Sequence, residues 1–167
     1  VSHHDVYFFN RGDLSGRYLI FKADLAKFIS YFTEWDSIFI SGMYEKTPYN
    51  ETYGKSTFSS SVFIKEIDAF IFTSTSEDGS RIDSTGRVVD GDIKGSFIGR
   101  IRMNELNDSL IQVHPIMEND SLARIKLEGI WLSDNVSDSI ATFIGVSDPD
   151  NGTTETYIIE VKIKRFD

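Results

Sequence analysis

The stretch Ile93-Lys-Gly-Ser-Phe-Ile-Gly-Arg-Ile-Arg-Met-Asn104 sorts alternate residues into two chemically different sets. Ile93, Gly95, Phe97, Gly99, Ile101 and Met103 fall on one face, Lys94, Ser96, Arg100, Arg102 and Asn104 on the other, and only Ile98 breaks the rule. A period of two marks a strand buried on one side. Both glycines lie on the apolar face, where a missing side chain lets a sheet bend sharply or leaves room for something bound. Such a strand belongs in a closed or strongly coiled antiparallel sheet.

Two further stretches share the pattern. In 122–132, Ala123, Ile125, Leu127, Gly129 and Trp131 oppose Arg124, Lys126 and Glu128; in 155–166, Tyr157, Ile159, Val161 and Ile163 oppose Glu160, Lys162 and Lys164. From Ser37 onward strands are expected at 37–45, 56–65, 67–75, 86–90, 93–104, 110–118, 122–132, 138–147 and 155–166, separated by clusters of Asn, Asp, Gly and Pro. In 138–147 both faces are apolar, so either Phe143 or Ile144 could point inward. The pattern predicts a mainly β fold, an antiparallel up-and-down barrel of eight or nine strands in meander order. Closure also hides edges that would otherwise template aggregation. A β-sandwich is the alternative, since short strands with frequent turns suit it too.

Ahead of the barrel, which is assigned to residues 37–167, residues 1–36 read as an N-terminal segment of the same single domain. Asp24 can cap a helix at about 24–33, with Leu25, Phe28, Ile29 and Phe32 on one stripe, packing on the barrel or closing an opening in it. Val6-Tyr-Phe-Phe9 is an apolar anchor followed by turn chemistry, and Tyr18-Leu-Ile-Phe21 is a short apolar run. Arg11-Gly12-Asp13 is the tripeptide that integrins read, and equally an ordinary turn.

Composition bounds the function. Of the 167 residues, 40% are hydrophobic and 13% aromatic, enough for one core burying roughly 70% of the unfolded surface. A net charge of -9 opposes attraction to phosphate backbones, so no nucleic acid partner is expected. No apolar run reaches the length of a spanning helix, and a soluble chain with no membrane span is expected. The absence of cysteine excludes disulfides, thiolate catalysis and Cys-ligated metals. Asn50, Asn107, Asn119, Asn135 and Asn151 each begin an N-x-Ser/Thr triplet, which fits either a secreted, glycosylated chain or a cytoplasmic one whose turns share these residues.

Candidate chemistry is sparse. Of the three histidines, His3 and His4 lie at the terminus, and His114 shares a face with Gln112 and Ile116, from which it could project into the barrel. A buried structural histidine is the plainer role, and His114 is at most a weak catalytic candidate. Asp148-Pro-Asp150-Asn-Gly152 lacks the loop length of a calcium site and reads as a turn; Glu77, Asp78 and Asp83, interrupted by Arg81, read as a solvated loop. No phosphate-binding glycine loop or nucleophile elbow occurs, so neither metal nor cofactor is expected. Arg100, Arg102, Arg124 and Lys126 could form a cationic stripe. With Glu66, Glu128 and Glu160 as partners it would be a solvated outer face, and in an inverted sheet it would hold a carboxylate or phosphate.

In outline the chain resembles the calycins, the antiparallel barrels of lipocalins, fatty-acid-binding proteins and avidins. Ser41-Gly42-Met43-Tyr44 is similar to the lipocalins' first-strand Gly-x-Trp, with Tyr for Trp, and Arg165 lies in the final strand where their stacking arginine does. That resemblance implies a ligand within the barrel. The expectation is therefore a noncatalytic barrel binding a small apolar or amphipathic molecule, lined by Phe97, Gly99, Ile101, Met103, Ile125, Leu127, Gly129 and Trp131, with Gln112 and His114 orienting a polar end. Phe97 and Trp131 would share one enclosure. The alternatives are a barrel enzyme of cyclase, isomerase or hydratase type acting on a hydrophobic substrate, and an interaction or structural module with a filled core that binds protein or glycan.

Overall fold

A computed structural model describes residues 4–10, 18–34, 40–79, 81–82, 84–86, 88–89, 91–136, 140–147 and 155–162. In chain order the elements are β1 (Asp5–Phe9), β2 (Tyr18–Asp24), α1 (Leu25–Glu34), β3 (Ile40–Asn50), β4 (Gly54–Lys55), β5 (Thr57–Ile64), β6 (Ala69–Glu77), β7 (Arg81–Ile82) and β8 (Val88–Val89). They continue with β9 (Ile93–Arg102), β10 (Leu110–Pro115), β11 (Met117–Glu118), β12 (Ser121–Leu122), β13 (Leu127–Val136), β14 (Ile140–Ser147) and β15 (Glu155–Lys162). The fold is mainly β, a nearly closed barrel-shaped sheet with one short helix. Among the described residues no helix is long and apolar enough to cross a membrane.

The main sheet runs β1-β2-β3-β10-β9-β6-β5, with β4 on β3. This order departs from the expected meander: β10 turns away from sequence order and pairs with β3 in parallel, Leu110 opposite Thr47 and Gln112 opposite Tyr49. The junction is only three residue pairs long, and side chains reinforce it. Lys46, 1% exposed, donates from Nζ to the carbonyls of Leu106 and Asp108, while Asn50 Nδ2 donates to the Val113 carbonyl at 2.9 Å. Thr52 and Tyr53 donate backbone N–H groups to Asn50 Oδ1 at 2.9 and 3.2 Å, so the amide of this Asn-x-Thr triplet is engaged at both ends.

The N-terminal segment does more than pack on the barrel, since β1 and β2 form an antiparallel hairpin within the main sheet. Period two is hidden there because Phe8 and Phe21 are apolar on the outer face as well, where Phe28 of α1 packs on Phe8 with centroids 5.0 Å apart. The helix begins as expected: Asp24 Oδ1 accepts the Lys27 N–H at 2.9 Å. Ile29, placed on the buried stripe by its spacing, is exposed, and the Phe32 side chain lies outside the described residues. Arg11-Gly12-Asp13, His3, the 148–152 turn and Arg165 also lie outside them.

Two cores flank the central strands. Inside the barrel, Phe58, Phe70, Phe72, Phe97, Ile101, Ile111 and Val113 pack together. Edge-to-face ring pairs cross it, Phe58–Phe72 at 4.8 Å, Tyr7–Phe70 at 5.1 Å and Phe9–Phe58 at 5.3 Å. Rings on β1 therefore reach rings on β5 and β6, strands from the far end of the sheet order, and each such pair contributes about 0.5–1.5 kcal/mol beyond its burial. Outside the barrel, Ile64, Ile71, Ile98 and Ile116 meet a second, three-stranded sheet, β13-β14-β15, through Leu127, Ile130, Ala141, Phe143 and Ile159. This layer resolves the choice in 138–147, with Phe143 facing the core. It also explains Ile98, which is apolar on the polar face of β9 because that face is covered.

Candidate functional site

The glycines of β9 leave no open space beside them. Gly99 stands opposite Phe72, and a Cβ there would lie 2.3 Å from Phe72 Cζ and 2.9 Å from Val113 Cγ1. A Cβ at Gly95 would lie 2.4 Å from Leu122 Cδ2. The chain's own side chains fill both places. Open space lies elsewhere, in a cleft of about 1560 Å³ outside the barrel wall, between β9 and β10 on one side and β15 on the other.

Ile71, Ile98, Ile116, Ile125 and Ile159 give the cleft an apolar floor, and Arg100 and Arg102 stand on one wall. These two arginines share a face of β9 because they are two residues apart. Burial, with Arg102 alongside, pushes the Arg100 guanidinium below its ordinary pKa, and Glu105 opposes the shift. Glu105 also accepts the Arg102 backbone N–H at 3.1 Å. Gln112 and His114 line the same wall, while Tyr157, Ile158 and Glu160 form the other.

Half of the residues expected to line a ligand site border this cleft: Gly99, Ile101, Gln112, His114 and Ile125. They do so on the outer side of the barrel. Gln112 and His114 are exposed rather than inward, because Ile111 and Val113 take the inner face of β10. The side chains of Phe97 and Ile101 are spent in the aromatic core, and Met103 packs against it. Leu127 belongs to the second core. Gly129 lies against Val146, whose Cγ2 would stand 2.8 Å from a Cβ at that position.

Trp131 is 45% exposed, so it shares no enclosure with Phe97. The reason is a bulge. Leu127 pairs with Ser147 but Gly129 with Val146, so two residues of β13 oppose one of β14. The alternation slips by one, turning Ile130 inward and Trp131 outward. The expected single strand at 122–132 is interrupted just before this point. Ser96 of β9 holds the irregular segment, donating its N–H to the Ala123 carbonyl at 2.9 Å and accepting the Ile125 N–H on Oγ at 3.0 Å.

The cationic stripe is likewise divided. Arg124 is exposed, Arg100 and Arg102 are half-buried in the cleft wall, and Lys126 is buried with its Nζ 3.9 Å from both Glu77 and Glu128. The cleft itself was missed by the alternation; its one trace in the sequence is Ile98 beside two arginines on a nominally solvated face. Among the described residues no three His, Cys, Asp or Glu side chains gather as a metal site.

Fold and site define a mainly β chain with a ring-filled, nearly closed barrel and an open, amphipathic cleft on its outer wall. The chain belongs to a family of unknown function (DUF6929), whose model matches residues 1–163. No curated protein and no solved structure matches it.

Proposed function

We propose that the chain is a noncatalytic binding module that works through the outer cleft, taking a small amphipathic molecule. The observation that carries this reading is the contrast between Phe72 filling the Gly99 space inside the barrel and about 1560 Å³ of isoleucine-floored space outside it, edged by Arg100 and Arg102 and by Glu105, Asp108, Glu118 and Glu160. An apolar floor supplies affinity in proportion to area removed from water, and the charged residues at its edge meet the polar end of such a molecule. The calycin-like reading, with a small apolar molecule inside the barrel, draws on the nearly closed sheet. The packing of Phe58, Phe70, Phe72 and Phe97 counts against it. A barrel enzyme would rely on His114, which stands on the cleft wall rather than in an enclosed site.

The test is a fluorescence titration with 1-anilinonaphthalene-8-sulfonate, an apolar anion. Saturable one-to-one binding is expected, weakened at least tenfold by Ile158→Glu and unchanged by Trp131→Ser. Equal binding to the native protein and the Ile158→Glu variant, with thermal unfolding unchanged, would overturn the cleft as the site.

A further inference from the structure

The protein sorts its apolar side chains by kind across the barrel wall. Inside, the core is built on rings, with Phe58 and Phe72 edge to face at 4.8 Å and Phe97 in the same cluster. Outside, the cleft is built on isoleucine: Ile71, Ile98, Ile116, Ile125 and Ile159 form the floor, and the exposed Ile67 and Ile158 stand at its edge. Tyr157 brings a single benzene ring to the lining, and no phenylalanine or tryptophan is among the described residues there. Branched aliphatic side chains are stiff and have no π face, so they attract in proportion to area and give a planar ring no stacking energy. Strand β10 runs along the cleft from Leu110 to Pro115, roughly 17 Å at about 3.4 Å per residue. One acyl chain has a similar length, half of the roughly 30 Å hydrocarbon core of a bilayer. The volume of about 1560 Å³ exceeds the roughly 300–1,000 Å³ usual for a compact ligand and leaves room for a head as well as a tail.

We propose that the molecule held in this cleft is a single-chain lipid with a head of no net charge, its alkyl tail lying along β10 on the isoleucine floor. The inference rests on the cleft being the binding site. The length of the tail follows from the run of β10. The head follows from the edge, where Arg100 and Arg102 stand with Glu105, Asp108, Glu118 and Glu160. A purely cationic or anionic head meets like charge there as well as unlike, whereas a zwitterion presents both signs at once. Gln112, exposed on the same wall, adds an uncharged amide that can donate and accept. The lipid enters as a free monomer and not from a membrane surface. Ile98 and Ile116 are 8% and 9% exposed, too recessed to enter a bilayer, and a net charge of -9 opposes approach to an anionic leaflet.

Displacement of bound 1-anilinonaphthalene-8-sulfonate by alkyl sulfobetaines, which share one zwitterionic head, tests this on the whole protein, each compound being kept below its micelle concentration. From octyl through decyl to dodecyl the affinity should rise at least twofold per methylene, full burial of a methylene being worth about fourfold. The benzyl sulfobetaine should bind at least tenfold more weakly than the octyl one, because a ring finds nothing to stack on. Decanoate and decyltrimethylammonium should each bind at least threefold more weakly than the decyl sulfobetaine, and Ile158→Glu should weaken the dodecyl compound at least fivefold. Affinity flat in tail length, a benzyl compound equal to the octyl one, a charged head that binds best, or indifference of the dodecyl compound to Ile158→Glu would each overturn the proposal. Binding to phosphatidylcholine vesicles in place of monomers would assign the apolar edge to a membrane and overturn it too. No displacement while 1-anilinonaphthalene-8-sulfonate still binds at Ile158 would remove the lipid and leave the cleft standing; loss of both would remove both.

Discussion

The ring of Phe72 occupies the space that a side chain at Gly99 would need: the two residues face each other across β6 and β9, and a Cβ on Gly99 would sit 2.3 Å from Phe72 Cζ. The glycine is thus part of the packing of the barrel. Gly99→Ala should cost about 1–3 kcal/mol through overpacking and Phe72→Ala about 3–5 kcal/mol through the cavity it leaves. Gly79→Ala, where a Cβ meets nothing within 4 Å, should stay within about 0.5 kcal/mol. Urea midpoints at constant m-value read all three; a neutral Gly99→Ala would mean the barrel interior is loose.

The bulge in β13 inverts the order of importance that simple alternation assigns to two neighbours. Ile130→Ala should lose about 2–5 kcal/mol and Trp131→Ala no more than about 0.5 kcal/mol. Chemical denaturation of the two variants decides it, and the reverse ranking would restore Trp131 to the interior.

Lys46 carries a charge into a buried place, and burial lowers its pKa while Asp108 partly offsets this. A lysine whose folded pKa lies below its unfolded value holds fewer protons when folded across the window between the two. Stability then rises with pH in that window, just below the free-lysine value of about 10.4. Lys46→Met has no such titration and leaves the carbonyls of Leu106 and Asp108 without their donor, at a cost of about 1–3 kcal/mol. The stability gap between native protein and Lys46→Met should widen as pH is raised from 7 toward 10. Tyr7 and Tyr18, whose pKa values burial raises, are common to both proteins and cancel in the difference. A gap that narrows over that range would contradict the burial of the charged amine.

At the start of α1, Asp24 satisfies the Lys27 N–H. Asp24→Ala should therefore cost about 1 kcal/mol, and Asp24→Ser, which retains an acceptor, less than half of that. Thermal unfolding followed by circular dichroism compares them, and equal losses would show that the carboxylate caps nothing.

Much of the local structure was legible because it depends on neighbours in sequence. Alternation located β9 with Phe97 and Ile101 facing in and Arg100 and Arg102 facing out, and Asp24 marked the helix start to within a residue. The hairpin of β1 and β2 was harder to see, because Phe8 and Phe21 blur the period where Phe28 covers the outer face. The bulge at Glu128 carries no strong local signal, so residues on either side of it were assigned to one face when they occupy two.

The amino-acid sequence by itself determined the class of the protein: period-two faces, turn residues at hairpin spacing and thirteen phenylalanines commit the chain to a β fold with an aromatic core. Tertiary structure alone decided that β10 pairs with β3 in parallel, that β13-β14-β15 forms a second layer over Ile98, and that this layer leaves a cleft between Arg100 and Ile158. The difference is physical. Which way a side chain points follows from the two bonds beside it, whereas which strand lies next to another is a contest among distant segments for the same hydrogen bonds and the same apolar surface.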